Sequence, residues 1–219
     1  MLHNYYDIHT HQKNKAESLI NITLPIDNEF FIQKTQQYSV GWHPWYIAAQ
    51  EKKKIIQKLQ DLVSHQEVLA IGETGLDRAI PITLDWQKEI FLAHTEISEH
   101  YQKPLIIHCV RAYNEILALH KLLKPQQRWI LHGFRANENI AKDYQKRGIF
   151  LSFGESLLHS QKLQETFCSL DISLVFFETD TSSTDIASIY QKAAFLKKME
   201  EKELVNTIKR NLCNIFSFL

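Results

Sequence analysis

What most constrains this chain is an alternation. Eight short apolar runs are separated, over most of its length, by segments whose apolar residues recur at helical spacing. The runs are Tyr5–His9, Leu19–Leu24, Tyr38–Trp42, Val68–Glu73, Leu105–Cys109, Trp129–His132, Ile149–Phe153 and Leu174–Thr179. Several are near-continuously apolar, the pattern of strands buried on both faces of a parallel sheet. Between them, Lys53–Val63 sets Ile55, Ile56, Leu59, Leu62 and Val63 on one stripe, with lysines and glutamines opposite. Leu84–Tyr101 repeats this with Trp86, Ile90, Phe91 and Ile97; Tyr113–Leu123, Asn137–Lys146, Leu157–Phe167, Ile186–Met199 and Leu204–Phe218 follow. The alternation predicts an α/β fold, a (β/α)8 TIM-like barrel built as one domain over residues 1–219. A chain of 219 residues is short for that fold. Only Gln12 to Ser18 separate the first run from Leu19, fewer than the dozen or so residues of a parallel crossover. The barrel is therefore expected to be irregular there, with the first crossover helix missing and the second, near Ile26–Gln37, meagre. A homo-oligomer whose neighbour covers that side fits the same reading.

In such a barrel the site forms at the carboxyl ends of the strands. Reading only those ends gives His9 and His11, then His43, Glu73, His108, His132 and Asp180. His9 and His11 lie two apart at a strand end, so their imidazoles share a face. Buried imidazoles and carboxylates are costly unless they share an opposite charge, and a cation supplies it. Four histidines (His9, His11, His108, His132) with Glu73 and Asp180 exceed the three protein ligands of one catalytic zinc, so two divalent ions are expected. Glu73 has the reach to bridge them, and Asp180 can ligate one and take the proton of an attacking water. His3, His65, His94, His100, His120 and His159 lie outside the strand ends and read as solvated or partly covered.

Composition narrows the partners. Lys plus Arg and Asp plus Glu are 25 each, so no broad basic coat awaits nucleic acid, although a local phosphate site remains open. Cys109, Cys168 and Cys213 are an odd number at wide spacing, which suits a reducing, cytoplasmic setting. No apolar run is long enough for a membrane span or an export signal.

The strand-end residues fall in stretches that resemble the TatD-type metal-dependent deoxyribonucleases of the amidohydrolase superfamily. These are Asp7-Ile8-His9-Thr10-His11, Gly41-Trp42-His43-Pro44, Gly72-Glu73-Thr74-Gly75-Leu76-Asp77, Pro104-Leu105-Ile106-Ile107-His108, His132-Gly133-Phe134, Glu178-Thr179-Asp180 and the closing Asn211-Leu212-Cys213-Asn214-Ile215-Phe216. The resemblance implies one metal on His9, His11, Glu73 and Asp180, and a second on Glu73, His108 and His132. It also implies phosphodiester hydrolysis, by 3′-to-5′ removal of nucleotides from single strands, with Mg²⁺, Mn²⁺ or Zn²⁺. The chain departs from the family's pattern in the short first crossover, in Arg135-Ala136 after His132-Gly133-Phe134, and in Thr181-Ser182-Ser183 after Asp180.

Around the ligands, His43 is a mouth residue that contacts phosphate or steadies the turn before Pro44. Arg111 and Arg135 leave ligand strands and can grip phosphate, with Arg78 a weaker third. Trp42, Trp45 and Tyr46 offer stacking surfaces to unpaired bases or serve as packing. Asp77 supports the Glu73 loop or orients a ligand histidine. Two alternatives stand beside the nuclease reading. One is a metal-dependent esterase or amidohydrolase, for example on aminoacyl-tRNA; the other is a non-catalytic metal-binding barrel.

Overall fold

The computed structural model describes residues 5–13, 17–25, 32–47 and 52–216. Each apolar run has become a strand whose side chains are almost all covered. The strands are β1 (Asp7–Thr10), β2 (Ser18–Leu24), β3 (Gln37–Trp42), β4 (Val68–Asp77), β5 (Leu105–Val110), β6 (Trp129–Leu131), β7 (Phe150–Phe153) and β8 (Val175–Phe177). The helices are α1 (Lys52–Val63), α2 (Leu84–Tyr101), α3 (Tyr113–Leu123), α4 (Glu138–Gln145), α5 (Ser156–His159), α6 (Gln161–Cys168), α7 (Ile186–Lys197) and α8 (Glu201–Ile215). The helix expected over Leu157–Phe167 is two helices. Ser160 is extended, and its side chain accepts from the Leu163 amide to cap α6, so α5 stops there. Among the described residues no helix lies between β1 and β2; residues 14–16 of that connection, 26–31 of the next, and His3 fall outside the description.

The chain forms two compact units, Leu19–Trp129 and Met1–Ser18 with Ile130–Leu219. In the first, β2, β3, β4 and β5 pair in parallel and in sequence order. The β4–β5 register slips between Ile71 and Thr74, leaving Gly72 and Glu73 in a bulge. The strands approach closely there. A methyl group on Gly75 would lie 1.9 Å from the His108 carbonyl oxygen, and one on Gly41 2.6 Å from the Glu73 carbonyl, so both positions need glycine. Val40, Ile71, Phe91, Ile106 and Ile116 are wholly buried in this unit's core. The side chain of Thr83 caps α2, and Gln102 closes it in the left-handed conformation.

In the second unit β6, β7 and β8 pair in parallel, and Thr10 at the end of β1 bridges to Asp180. A run of ring contacts binds this unit: Phe134–Phe153, Phe153–Phe167, Phe167–Phe177 and Phe177–Tyr190, with centroids 4.7 to 6.0 Å apart. Asn211 of α8 is buried and donates to the Ile172 and Val175 carbonyls, tying the last helix to the base of β8. The three cysteines are free thiols, and no described helix is long and apolar enough to cross a membrane.

Candidate metal centre

The unit Leu19–Trp129 gathers His43, Glu73 and His108, all buried, with ligand atoms close enough to hold one ion. His43 Nδ1 accepts the Trp45 amide at 3.1 Å, which puts its proton on Nε2, 3.0 Å from Glu73 Oε1. His43 therefore both steadies the turn at Pro44 and touches the carboxylate. His108 lies between two acids: Nδ1 is 2.7 Å from Glu73 Oε1, and Nε2 is 3.1 Å from Asp77 Oδ2. An imidazole that gives one N–H to a carboxylate presents its other nitrogen to a cation, so Asp77 orients His108 as the sequence suggested. Burial pushes the Asp77 carboxyl up. Hydrogen bonds from the Trp45 indole, the Ala79 amide and His108 outweigh it and hold the group below its ordinary value.

Two residues that the sequence did not mark hold this cluster. Gln87 of α2 is buried; its carbonyl accepts the Asp77 amide and its amide donates to the Asp77 and Ile82 carbonyls. His94, expected to be at least partly solvated, is completely buried. Its Nε2 accepts the Trp42 amide at 3.0 Å while Nδ1 donates to the Ile90 carbonyl at 2.8 Å. Burial pushes its pKa down to about 4, so it is a neutral strut beneath the residue before His43.

The second unit gathers His9, His11 and Asp180, again close enough to hold one ion. Asp180 Oδ1 is 3.5 Å from His11 Nε2 and 3.8 Å from His9 Nε2. Asp180 takes the left-handed conformation, φ 51°, which an aspartate tolerates. Its backbone is pinned to β1 on both sides: its N–H donates to the His9 carbonyl, and the His11 N–H donates to its carbonyl. Asp7 adds a lock by accepting both the Thr179 amide and hydroxyl. The His132 ring lies 4.3 Å from that of His9, and its Nδ1 faces Glu178 Oε1 at 3.5 Å. Glu178 is buried and accepts the Gly133 amide at 2.7 Å. Burial pushes its carboxyl up, but hydrogen bonding to His132, with the charges of His132 and His9, holds it down. Glu178 was legible as part of a motif, but nothing in its spacing announced that it faces His132.

Of the residues expected to meet substrate, His43 lies in the cluster and Arg111 and Arg135 are exposed. Trp42 is corrected. It is completely buried, with its indole N–H on the Tyr46 carbonyl, and has no face to offer a base. Arg78 is paired with Glu115. His65, His100 and His159 are exposed, as expected. The donor set, imidazoles and carboxylates at separations that suit a shared small cation, fits a divalent transition metal or magnesium.

Comparison with known proteins bears on this arrangement. The model of the family described as TatD related DNase matches residues 8–217. A metal-dependent hydrolase of Methanocaldococcus jannaschii is 25% identical over 191 residues, 81% of this chain and 74% of its own length. Among solved structures, YjjV, a TatD homologue of Escherichia coli, aligns over 100% of both chains at 16% identity with a TM-score of 0.81. A TatD family hydrolase of Entamoeba histolytica gives 0.67 at 18% identity over 82% of this chain and 74% of that one. These structural matches show the fold, an α/β (β/α)8 barrel, as the alternation of strand and helix predicts.

Proposed function

The chain belongs to the TatD-related DNase family and is a metal-dependent hydrolase, and from that premise we propose that it cleaves phosphodiester bonds at the 3′ ends of single-stranded nucleic acid. The observation that carries this reading is that each compact unit, by itself, brings histidines and a carboxylate from separate strand ends within reach of one ion. By resemblance to the family, two divalent ions, Mg²⁺, Mn²⁺ or Zn²⁺, would be held by His9, His11, Glu73 and Asp180 and by Glu73, His108 and His132. Bound there, they supply positive charge that grips a phosphate oxygen and makes a water molecule more acidic. Asp180, half-exposed, takes the proton of the attacking water. Glu73 draws the histidines into place, and Asp77 and Glu178 hold His108 and His132 in one tautomer each. His43, Arg111 and Arg135 meet the phosphate backbone, and the whole works as one domain of a cytoplasmic enzyme.

The test is release of mononucleotides from a single-stranded oligonucleotide with added Mn²⁺, Mg²⁺ or Zn²⁺, beside a panel of acyl esters and amides. Wild-type protein should release nucleotides and lose that activity in His108→Ala and in Asp180→Ala, with both variants folded. Turnover of acyl substrates alone would transfer the site to carbonyl chemistry. Bound metal with no turnover of any substrate would leave a binding protein.

A further inference from the structure

The turn after β3 carries an aromatic pair that the hydrolytic residues do not use. Trp45 and Tyr46 lie in the short 3-10 turn Pro44–Tyr46, and each is 55% exposed. Rings of that size left open to water forgo much of the free energy that burial would bring. Trp45 is nevertheless fixed. Its backbone N–H donates to His43 Nδ1 at 3.1 Å, and its indole N–H donates to Asp77 Oδ2 at 2.7 Å. That same oxygen receives His108 Nε2 at 3.1 Å. The indole stands edge-on to the His43 ring, centroids 5.0 Å apart, and 6.1 Å from the His108 ring; Tyr46 lies 5.8 Å from His43. Trp42, three residues earlier, shows what a packing tryptophan looks like here: wholly covered, its N–H spent on a neighbouring carbonyl. Trp45 instead spends its N–H on a carboxylate of the candidate metal centre and keeps much of its surface in solvent.

We propose that Trp45, with Tyr46 beside it, seats an unpaired base of a single-stranded polynucleotide, and that Asp77 holds the indole in position. The inference rests on the phosphodiester reading above and adds the part of the substrate that metal ligands do not address. Every base has a π-face, so such a seat is tolerant of sequence but selects for an unstacked base. An indole anchored at both backbone and ring loses little freedom when a base settles on it. Because Asp77 serves the indole and His108 together, a seated base lies next to the strand-end carboxylate Glu73 and not at a remote patch.

The experiment compares kcat/KM, with Mn²⁺ added, on two oligonucleotides of equal length and charge. One carries all its bases; the other is abasic at its last three positions. Wild type should favour the base-bearing strand by roughly tenfold or more, the range expected of base–aromatic stacking. In Trp45→Ala that ratio should fall to about one. Trp45→Phe, which loses the N–H but keeps a face, should retain a preference whatever its absolute rate. A Trp45→Ala protein with the wild-type ratio overturns the seat, as does a wild type that cleaves both strands equally while still acting as a phosphodiesterase. A wild type that cleaves neither strand defeats the phosphodiester reading itself, and the seat with it. Should Trp45→Ala not fold, the Trp45→Phe ratio and quenching of indole fluorescence by the base-bearing but not the abasic strand decide the matter.

Discussion

The two compact units hold their candidate ligands in different ways. In Leu19–Trp129 the groups are joined directly: Glu73 touches His43 and His108 at 3.0 and 2.7 Å, and Asp77 touches His108 at 3.1 Å. In the other unit Asp180 stands 3.5 and 3.8 Å from His11 and His9, and Glu178 stands 3.5 Å from His132. The first is a closed network in which each neighbouring pair lies at hydrogen-bonding distance. The second is spread to about the edge length of a tetrahedron whose arms are metal–ligand bonds of about 2.0–2.2 Å. The backbone differs between the two as well. Glu73 sits in a bulge of β4, whereas Asp180 is left-handed and its backbone is bonded to β1 on both sides.

The largest effects should come from neutralising one acid in each unit. Asp180→Asn and Glu73→Gln should each lower turnover by about 10²–10⁴-fold. Stability should separate them. Glu73 is buried with the His43 N–H aimed at it and the His108 ring beside it, so an amide whose N–H₂ faces that donor should cost about 1–3 kcal/mol. Asp180→Asn, with a side chain 38% exposed, should unfold within about 0.5 kcal/mol of wild type. Urea denaturation of the two variants measures this, and a larger loss in Asp180→Asn would erase the contrast between closed and open clusters.

Next in size are the acids behind the histidines. Asp77→Asn and Glu178→Gln should each weaken metal affinity or turnover by about 10–100-fold, the usual cost of losing the partner of a ligand imidazole. Titration of metal-free protein with Zn²⁺ or Mn²⁺ checks it. Because Asp77 also anchors Trp45 and Gln87 holds its backbone, Asp77→Asn should additionally lower thermal stability, which Glu178→Gln should do less. Equal affinities in wild type and both variants would leave these acids without a part in metal binding.

How much of this was legible depended on period. The strand runs are apolar and short, so position along the chain marked His9, His11, Glu73, His108, His132 and Asp180 as candidate ligands at strand ends before any contact was visible. The helices α2 and α3 were legible to the residue from their apolar spacing; Thr83 caps α2 with its side chain, whereas Ala112 before α3 makes no such bond. What escaped was polar and buried. Gln87 and His94 lie on a helix whose apolar residues define a stripe, and a polar residue beside a stripe reads as solvent-facing. Only the Trp42 amide and the Asp77 backbone, brought over from other elements, show why they are inside. Trp42 failed for the mirror reason: an aromatic at a strand end has the same composition whether its ring turns inward or outward, and here Trp45 holds the outward place.

His94, in the unit Leu19–Trp129, supplies the third test. Its pKa is pushed down to about 4 by burial, from an ordinary 6.5, so below pH 6.5 the unfolded chain takes up a proton that the folded one refuses. The stability it protects is complete above pH 6.5 and is lost as pH falls toward 4. Between pH 7 and 5 the loss is about 2 kcal/mol. His94→Gln can keep one contact each to Trp42 and Ile90 without titrating, so its stability should fall less steeply over that interval. Parallel acid limbs in the two proteins would move the titration to another group.

The smallest effect separates two arginines, one from each unit. Arg111, just after β5, is exposed and left-handed, φ 53°. Arg135, in the loop after β6, is also exposed and lends its charge to Glu155, whose carboxyl is held low first by Thr184 and Ser182 and only lastly by that arginine. A left-handed arginine costs about 1–2 kcal/mol, which a chain keeps only where the side chain or the turn repays it. Arg111→Gly should therefore be more stable than Arg111→Ala by about 1 kcal/mol, since glycine adopts that conformation freely. If the guanidinium grips phosphate, both variants should raise KM for an oligonucleotide by the same factor, roughly tenfold, in spite of their different stabilities. Arg135→Ala should raise it less, because part of that charge is already engaged. A KM that follows stability across the Arg111 pair, or stays at the wild-type value in both, would make the left-handed arginine a feature of the turn alone.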